Sequence, residues 1–522
     1  MPIKKNPDII TQTISKHPFI ITAAFVLLIL IATGMQLQDN IASCALMLIG
    51  YAVVIGYGIY LKKTQRLTNE ALIVLVFVLG FVLRLGYVLY TDITVRQNDV
   101  FSFTEGEYNL YHSGYILYVR DTFSIPDADV RLLGQFYHPP FHYYVCAVFL
   151  RAYELFLPDG THNYDALQAL SFLWTQYAVL MLYKCIKRLG IRKEDYLVTA
   201  AVISAFPTFT LLSGSVNNDI LSILLFFTAF FFGLKWYQDG GWKNIILSSL
   251  ATGFGMMTKL SIGLIAFPLG FLFIVKLIKD LHNKEVRTVS VLNLAAFGAI
   301  SVPLGLWFQI RNYLLYGVPV TYVLKSDNIY QDISRFSPAQ RLFGFYNLPI
   351  VDYYINLGSD GNQDYNIFIT QVKTALFGEE NYRDDLLMSM AGYALLIVFL
   401  FMILIAAAGL VRVVIMLIKT RRSWEDLSMI ILAAAELISI ITFSLKYPHI
   451  CSMNFRYATP LVLCGAVFYC RIHDIKLKGE NKDLIAKITK LTAMAFLVLS
   501  IVFYTVLWTY VKGEVTVADV TW

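Results

Sequence analysis

The sequence predicts an all-α integral membrane protein of about 13 transmembrane helices, with two large outer-face loops carrying interfacial helices. Three observations predict it. Of 522 residues, 57% are hydrophobic and only 15% are charged. Apolar windows of about 20 residues recur, each enough to cross a roughly 30 Å hydrocarbon core. These windows are continuous rather than alternating. With no water in a bilayer to satisfy backbone N–H and C=O groups, continuous runs cross as helices, not as barrel strands.

In chain order, the first apolar run (18–34) follows MPIKKNPDIITQTISKH, a basic leader resembling a signal peptide. No small-residue cleavage site follows, and the next run begins at Ile41, so the first is read as a retained span. Further spans are expected at 41–61, 69–90, 165–188, 196–213, 216–236, 243–258, 261–279, 288–311, 389–418, 424–445, 455–471 and 485–510. With the N-terminus on the cytoplasmic side, the segments KKTQR, KCIKRLGIRK, KWYQDGGWK, KLIKDLHNKEVR, RVVIMLIKTRR and RIHDIKLKGENKDLIAKITK all face the cytoplasm. Together with residues 1–17 they hold nearly two thirds of the 42 Lys and Arg residues. This distribution places the C-terminus outside and accounts for the +6 charge by topology, with no nucleic-acid partner implied.

The stretch HPPFHYYVCAVFLRAYELF (138–156) is apolar enough to cross, but a crossing there would put KCIKRLGIRK outside. It is therefore read as an interfacial helix, with Pro139 and Pro140 at its start, where a missing N–H costs nothing. Two large outer loops result, 91–164 and 312–388. The chain divides into two additional N-terminal helices (1–68), a membrane core (69–471) and a C-terminal part of basic loop, last helix and short outer tail (472–522). Cys44, Cys146, Cys185, Cys451, Cys464 and Cys470 form no CxxC pair and mostly fall in apolar runs, giving no redox or metal signal.

Chemistry concentrates outside. Between 91 and 138, Asp92, Asp99, Glu105, Glu107, Asp121, Asp127 and Asp129 face Arg96, Arg120 and Arg131. Such an excess of acid beside a membrane mouth suits a general base or a cation site, against the plainer reading of a solvated loop. His138 and His142 stand four apart, a spacing that can bind zinc, but no third ligand is legible and a hydrogen-bonding role is the simpler reading. Asp219 opens a span, where it can cap the helix.

The order of motifs resembles the C-type (GT-C fold) membrane glycosyltransferases. An apolar helix ends in RxxD (Arg96 to Asp99), followed by FYHPPFHYY (136–144) and a span ending in KRLG (187–190). VNNDIL (216–221), MMTKLSIG (256–263), RNYLLYGVP (311–319) and FRYATPLV (455–462) follow. Within that group the chain is similar to the branch of protein O-mannosyltransferases and lipid A aminoarabinose transferases. The resemblance implies hexosyl or pentosyl transfer from a polyprenyl-phosphate donor to a glycan, lipid or protein acceptor at the outer face of the inner (cytoplasmic) membrane. Asp99 matches the acid that acts on the acceptor. The family acid often neighbours a second carboxylate, whereas here Asn98 and Val100 flank it, so Glu105, Glu107 or Asp92 could share the role.

Physical reasoning agrees. An attacking hydroxyl must lose its proton to a base, and a departing lipid phosphate needs cations in a low-dielectric place. Lys259, Arg311 and Arg456, assigned to the outer ends of spans, are the candidates, with His142 as a further phosphate contact. Snorkelling to lipid headgroups is their ordinary alternative. Arg96, His138, Asp219 and Arg84 form a second tier, Arg84 being placed to pair with a loop acid or with Glu436. Tyr137, Tyr143 and Tyr144 are candidates for groove lining. No cofactor and no metal ligand set are expected. The acid cluster could hold a divalent cation, although the resemblance implies that none is needed.

Overall fold

The computed structural model describes residues 8–34, 40–91, 93, 99, 103, 109–158, 162–326, 328–345, 352–356, 363–379, 382, 386–419, 423–474 and 480–513. Its helices are α1 (Ile9–Lys16), α2 (Pro18–Gly34), α3 (Asn40–Lys63), α4 (Asn69–Tyr90), α5 (His112–Thr122), α6 (Phe141–Glu154), α7 (Ala166–Arg188), α8 (Tyr196–Ser204), α9 (Pro207–Gly214) and α10 (Asp219–Asp239). They continue as α11 (Trp242–Met256), α12 (Ala266–Asp280), α13 (Lys284–Tyr316), α14 (Pro338–Phe343), α15 (Ile367–Phe377), α16 (Leu386–Ile418), α17 (Trp424–Lys446), α18 (Leu461–Arg471) and α19 (Glu480–Gly513).

Each expected span is helical, but not every helix is a full crossing. Among the described residues nine helices are long and apolar enough to cross a membrane. A tenth crossing is possible if the pair Lys193–Ser204 and Pro207–Gly214, bent by 45°, is taken as one. That bend follows from Pro207, which lacks an N–H and stands at the first position of α9. The other expected spans are the shorter helices α2, α11 and α18, of 17, 15 and 11 residues. The last is short because its first residues, Phe455–Ala458, form a separate 3-10 turn that carries Arg456.

Helix starts follow local chemistry. Thr68 accepts from the Ala71 N–H at the head of α4, Asn283 from Glu285 and Val286 at α13, and Ser423 from Asp426 at α17. The 14-residue α6 begins after Pro139 and Pro140 and is too short to cross, as its interfacial reading requires. It packs against α5 and α7 through His142, Tyr143, Cys146, Ala147 and Leu150, while Leu155 and Phe156 just beyond its end are exposed. The second large loop carries α14 and α15.

Bilayer helices gain little hydrophobic drive from one another, so close van der Waals approach decides their packing. α4 lies against α3, α8, α9 and α19; α10 joins α7 to α11; and α16 packs on α18 and α19. Two glycines allow close approaches between helices. A Cβ on Gly80 would stand 2.0 Å from the Ser204 carbonyl oxygen of α8, and one on Gly409 would stand 1.8 Å from that of Phe468 in α18.

Polar contacts join several of the basic segments. Arg188 pairs with Asp239, Arg192 with Asp195 at 2.8 Å, and Arg471 with Asp426 at 2.8 Å, while Arg471 also donates to the carbonyls of Leu189 and Gly190. Asp99, Asp219, Lys259 and Arg456 meet at the opposite helix ends.

Gly80→Ala should cost about 1–3 kcal/mol through overpacking against α8. Gly298→Ala, where an added Cβ meets nothing within 4 Å, should be neutral. Thermal unfolding of both variants in detergent, followed by loss of monodisperse protein, checks the contrast.

Candidate active site

Four segments far apart in sequence deliver four charges to one place. The first is Asp99, beyond the end of α4. Its carbonyl accepts from the His112 N–H at 3.3 Å, and its backbone has φ +60°, a left-handed conformation that Asp tolerates better than most residues. The side chain stays 38% exposed.

Asp219 opens α10, where its N–H donates to the Asn217 side chain at 3.1 Å. The adjacent Asn218 donates to the Thr258 carbonyl at 3.1 Å, tying the start of α10 to the end of α11. That bond brings Lys259 beside Asp219, and the two form an ion pair. Asp219 is thus more than the helix cap it could have been.

Arg456 closes the cluster. Asn454 caps its 3-10 turn by accepting from the Arg456 N–H at 2.9 Å, and itself donates to Glu379 at 2.7 Å. The guanidinium reaches Asp99 at 2.6 Å, Tyr457 OH at 2.7 Å and Asp219 at 3.5 Å. The Tyr457 ring receives both cations, with Lys259 Nζ 4.5 Å and Arg456 Cζ 4.8 Å from its centre. Among the described residues the buried Arg456 Nε has no hydrogen-bond partner. An orphan donor on a guanidinium already facing two acids suits an additional anionic ligand.

Beside the cluster lies a small pocket, partly open to solvent, with about 20 Å³ of water-accessible space. Asp219, Lys259, Arg456 and Tyr457 form its charged rim, while Ile223, Phe226, Ile262 and Leu264 supply apolar lining. Glu436, 2% exposed within α17, also faces it.

Burial would raise the Asp99 carboxyl, but the Arg456 guanidinium, with His112 and Lys259, outweighs it and holds Asp99 below the usual carboxylate range. His112 is pushed down to about 4, chiefly by burial, and shares a 2.6 Å hydrogen bond with Tyr143 OH through Nδ1. His138, stacked on His112 with centroids 5.4 Å apart, and His142 are held neutral by burial as well.

The structure thus brings Asp99, Asp219, Lys259 and Arg456 together and places Arg311, His142 and Arg84 elsewhere. Arg311 contacts the Pro126 carbonyl at 3.3 Å, Asp127 at 3.5 Å and Asn312 at 3.0 Å, so it braces the loop between α5 and α6 rather than joining the cluster. His142 is fully buried, 3.6 Å from Cys146 Sγ and against the edge of Trp174, facing inward from α6 rather than into the pocket. His138 precedes α6, so the two histidines do not share a helical face. Arg84 bonds Gln176 Oε1 at 2.8 Å and the Ser204 carbonyl, not Glu436, because its face of α4 looks onto α7 and α8. Asp92, Arg96, Glu105 and Glu107 lie outside the described residues. No group of three metal-ligating His, Cys, Asp or Glu side chains occurs among the described residues. Sequence reasoning passed over His112, Asn454 and Tyr457. The latter two flank Arg456, which the FRYATPLV motif had already marked.

Residues 137–307 match the family model described as dolichyl-phosphate-mannose-protein mannosyltransferase. The chain is similar to the C-type membrane glycosyltransferases. No curated protein matches its sequence. Similar solved structures include the oligosaccharyltransferase AglB from Archaeoglobus fulgidus in complex with an inhibitory peptide and a dolichol-phosphate, at 14% identity and a TM-score of 0.44, covering 83% of this chain and 55% of AglB. ArnT from Cupriavidus metallidurans bound to undecaprenyl phosphate is also similar, at 14% identity and a TM-score of 0.44, covering 84% of this chain and 77% of ArnT. The chain therefore spans about half the length of the archaeal enzyme.

The buried histidines make stability pH-dependent. The folded protein keeps His112 neutral down to about pH 4, whereas the unfolded chain takes up the proton near 6.5. This contribution, roughly 3 kcal/mol for a shift of that size, is fully present above pH 6.5 and is lost as pH falls towards 4. His138 and His142 act in the same direction. The unfolding midpoint in detergent should fall across this window, and His112→Asn should flatten the fall.

Proposed function

We propose that the protein is a glycosyltransferase that moves a sugar from a polyprenyl-phosphate donor to an acceptor hydroxyl at the outer face of the cytoplasmic membrane. The observation that carries this reading is the cluster of Asp99, Arg456, Asp219 and Lys259, of which the last three line a small pocket with apolar residues Ile223, Phe226, Ile262 and Leu264. The family whose model matches residues 137–307 is named for a lipid-phosphate-linked mannose, which supports the donor class.

In this reading the lipid phosphate sits between Lys259 and Arg456, and its isoprenoid chain descends past Ile223 and Phe226. Two cations in a poorly solvated place stabilise the negative charge that builds on the phosphate as the anomeric C–O bond breaks. Asp99, the most exposed carboxylate of the cluster, accepts the proton of the attacking hydroxyl. Asp219 is buried between Lys259 and Arg456, so its role is to position them. One base and a direct displacement invert the anomeric configuration. The positive-inside pattern supports placing this face outside, with the N-terminus in the cytoplasm.

Asp99→Asn should lower kcat by about 10²–10⁴-fold with a polyprenyl-phosphate-hexose donor while leaving donor binding in place. Lys259→Met should mainly raise the donor KM. Purified protein assayed by mass spectrometry of the acceptor tests both; full activity of Asp99→Asn, or a product of retained configuration, defeats the assignment. A chelator should leave turnover unchanged, since the charge stabilisation assigned to a metal elsewhere is supplied here by Lys259 and Arg456.

A further inference from the structure

The cations assigned to the donor phosphate are already neutralised. Lys259 and Arg456 carry two positive charges, and Asp99 and Asp219 carry two negative ones, all within one connected set of ion pairs. A lipid phosphate cannot simply be added, because it would leave a poorly solvated cluster with net negative charge. One carboxylate must yield, and the two are not equivalent. Asp219 is 4% exposed and touches both cations, whereas Asp99 is 38% exposed and its carboxylate pairs with Arg456 alone among the described residues. A half-exposed carboxylate exchanges a partner for water at little cost, and a buried one does not. Arg456 itself stays in place, held by the Asn454 cap of its turn and by the Tyr457 hydroxyl, with its buried Nε ready for a further acceptor.

We propose that Arg456 locks Asp99 in the free protein and that the donor's phosphate, by taking over the guanidinium, releases Asp99 to act as base. This inference rests on the glycosyltransferase reading and adds an order to it: the base becomes available only after the lipid phosphate is bound. Paired with Arg456 through one carboxylate oxygen at 2.6 Å, Asp99 is a weaker base than it is once that partner is withdrawn. Arg456 is therefore a positioning residue for Asp99 as well as a contact for phosphate. The acceptor binds second, to a site whose base has just been freed.

Undecaprenyl phosphate without sugar is a suitable probe, since it cannot turn over. Native mass spectrometry of the full chain in detergent reports its binding. Carbodiimide labelling at one pH, with the modified peptides read by mass spectrometry, reports the freedom of each carboxylate. Bound lipid should raise Asp99 labelling at least fivefold and leave Asp219 unlabelled. In Arg456→Gln, Asp99 should label at the fast rate without lipid. Initial-rate kinetics should show donor binding before acceptor. Lipid binding with no rise in Asp99 labelling, together with random binding order, would overturn the lock while leaving the donor reading intact. Failure of undecaprenyl phosphate to bind at all would overturn the donor reading, and the lock with it.

Discussion

The guanidinium of Arg456 is the constraint on which the site depends. It reaches Asp99 from the first outer loop and Asp219 from the head of α10, and through Asp219 it is coupled to Lys259 at the end of α11. Four segments separated by up to 357 positions converge on it. An isolated charge in this setting would carry a large desolvation cost, and removing any one member leaves its neighbours uncompensated. The helices that carry the cluster must therefore meet in one register.

That register comes from close helix contact rather than from apolar drive. Gly80 and Gly409 let backbones approach where any side chain would collide with a carbonyl. The Asn218 bond to the Thr258 carbonyl then fixes two helix ends to within a residue, and the FRYA turn presents Arg456 sideways instead of burying it in a longer α18. Asp99 shows the same economy: its backbone is left-handed and tied to the His112 N–H, and its carboxylate meets Arg456. The site is rigid on its cation side and more open on its acid side, an asymmetry suited to a ligand that must enter and displace something.

The comparison of residues is instructive. Asp99 was singled out by the glycosyltransferase resemblance, whereas Lys259 and Arg456 stood out as charges at the ends of apolar runs. Arg311 met the same criterion and proved to brace Asp127 and Pro126, since position along a helix says nothing about the direction a side chain faces. His142 carried a motif but points inward from α6. His112 carried none, and it contributes through its backbone N–H and a neutral ring, properties that no pattern of side-chain types encodes.

Hydropathy by itself determined that this chain is a multi-span helical membrane protein, because a bilayer forbids unpaired backbone. Motif order, a weaker signal, pointed to the glycosyltransferase resemblance. Which helices are full crossings, and which charges meet, was decided only in three dimensions. Pro207 bends one span and a 3-10 turn shortens another, while ion pairing selects partners by distance and burial across hundreds of residues. Neither effect leaves a periodic trace in the sequence, which is why Asp219 reads there as a helix cap and in the structure as the buried anchor of both cations.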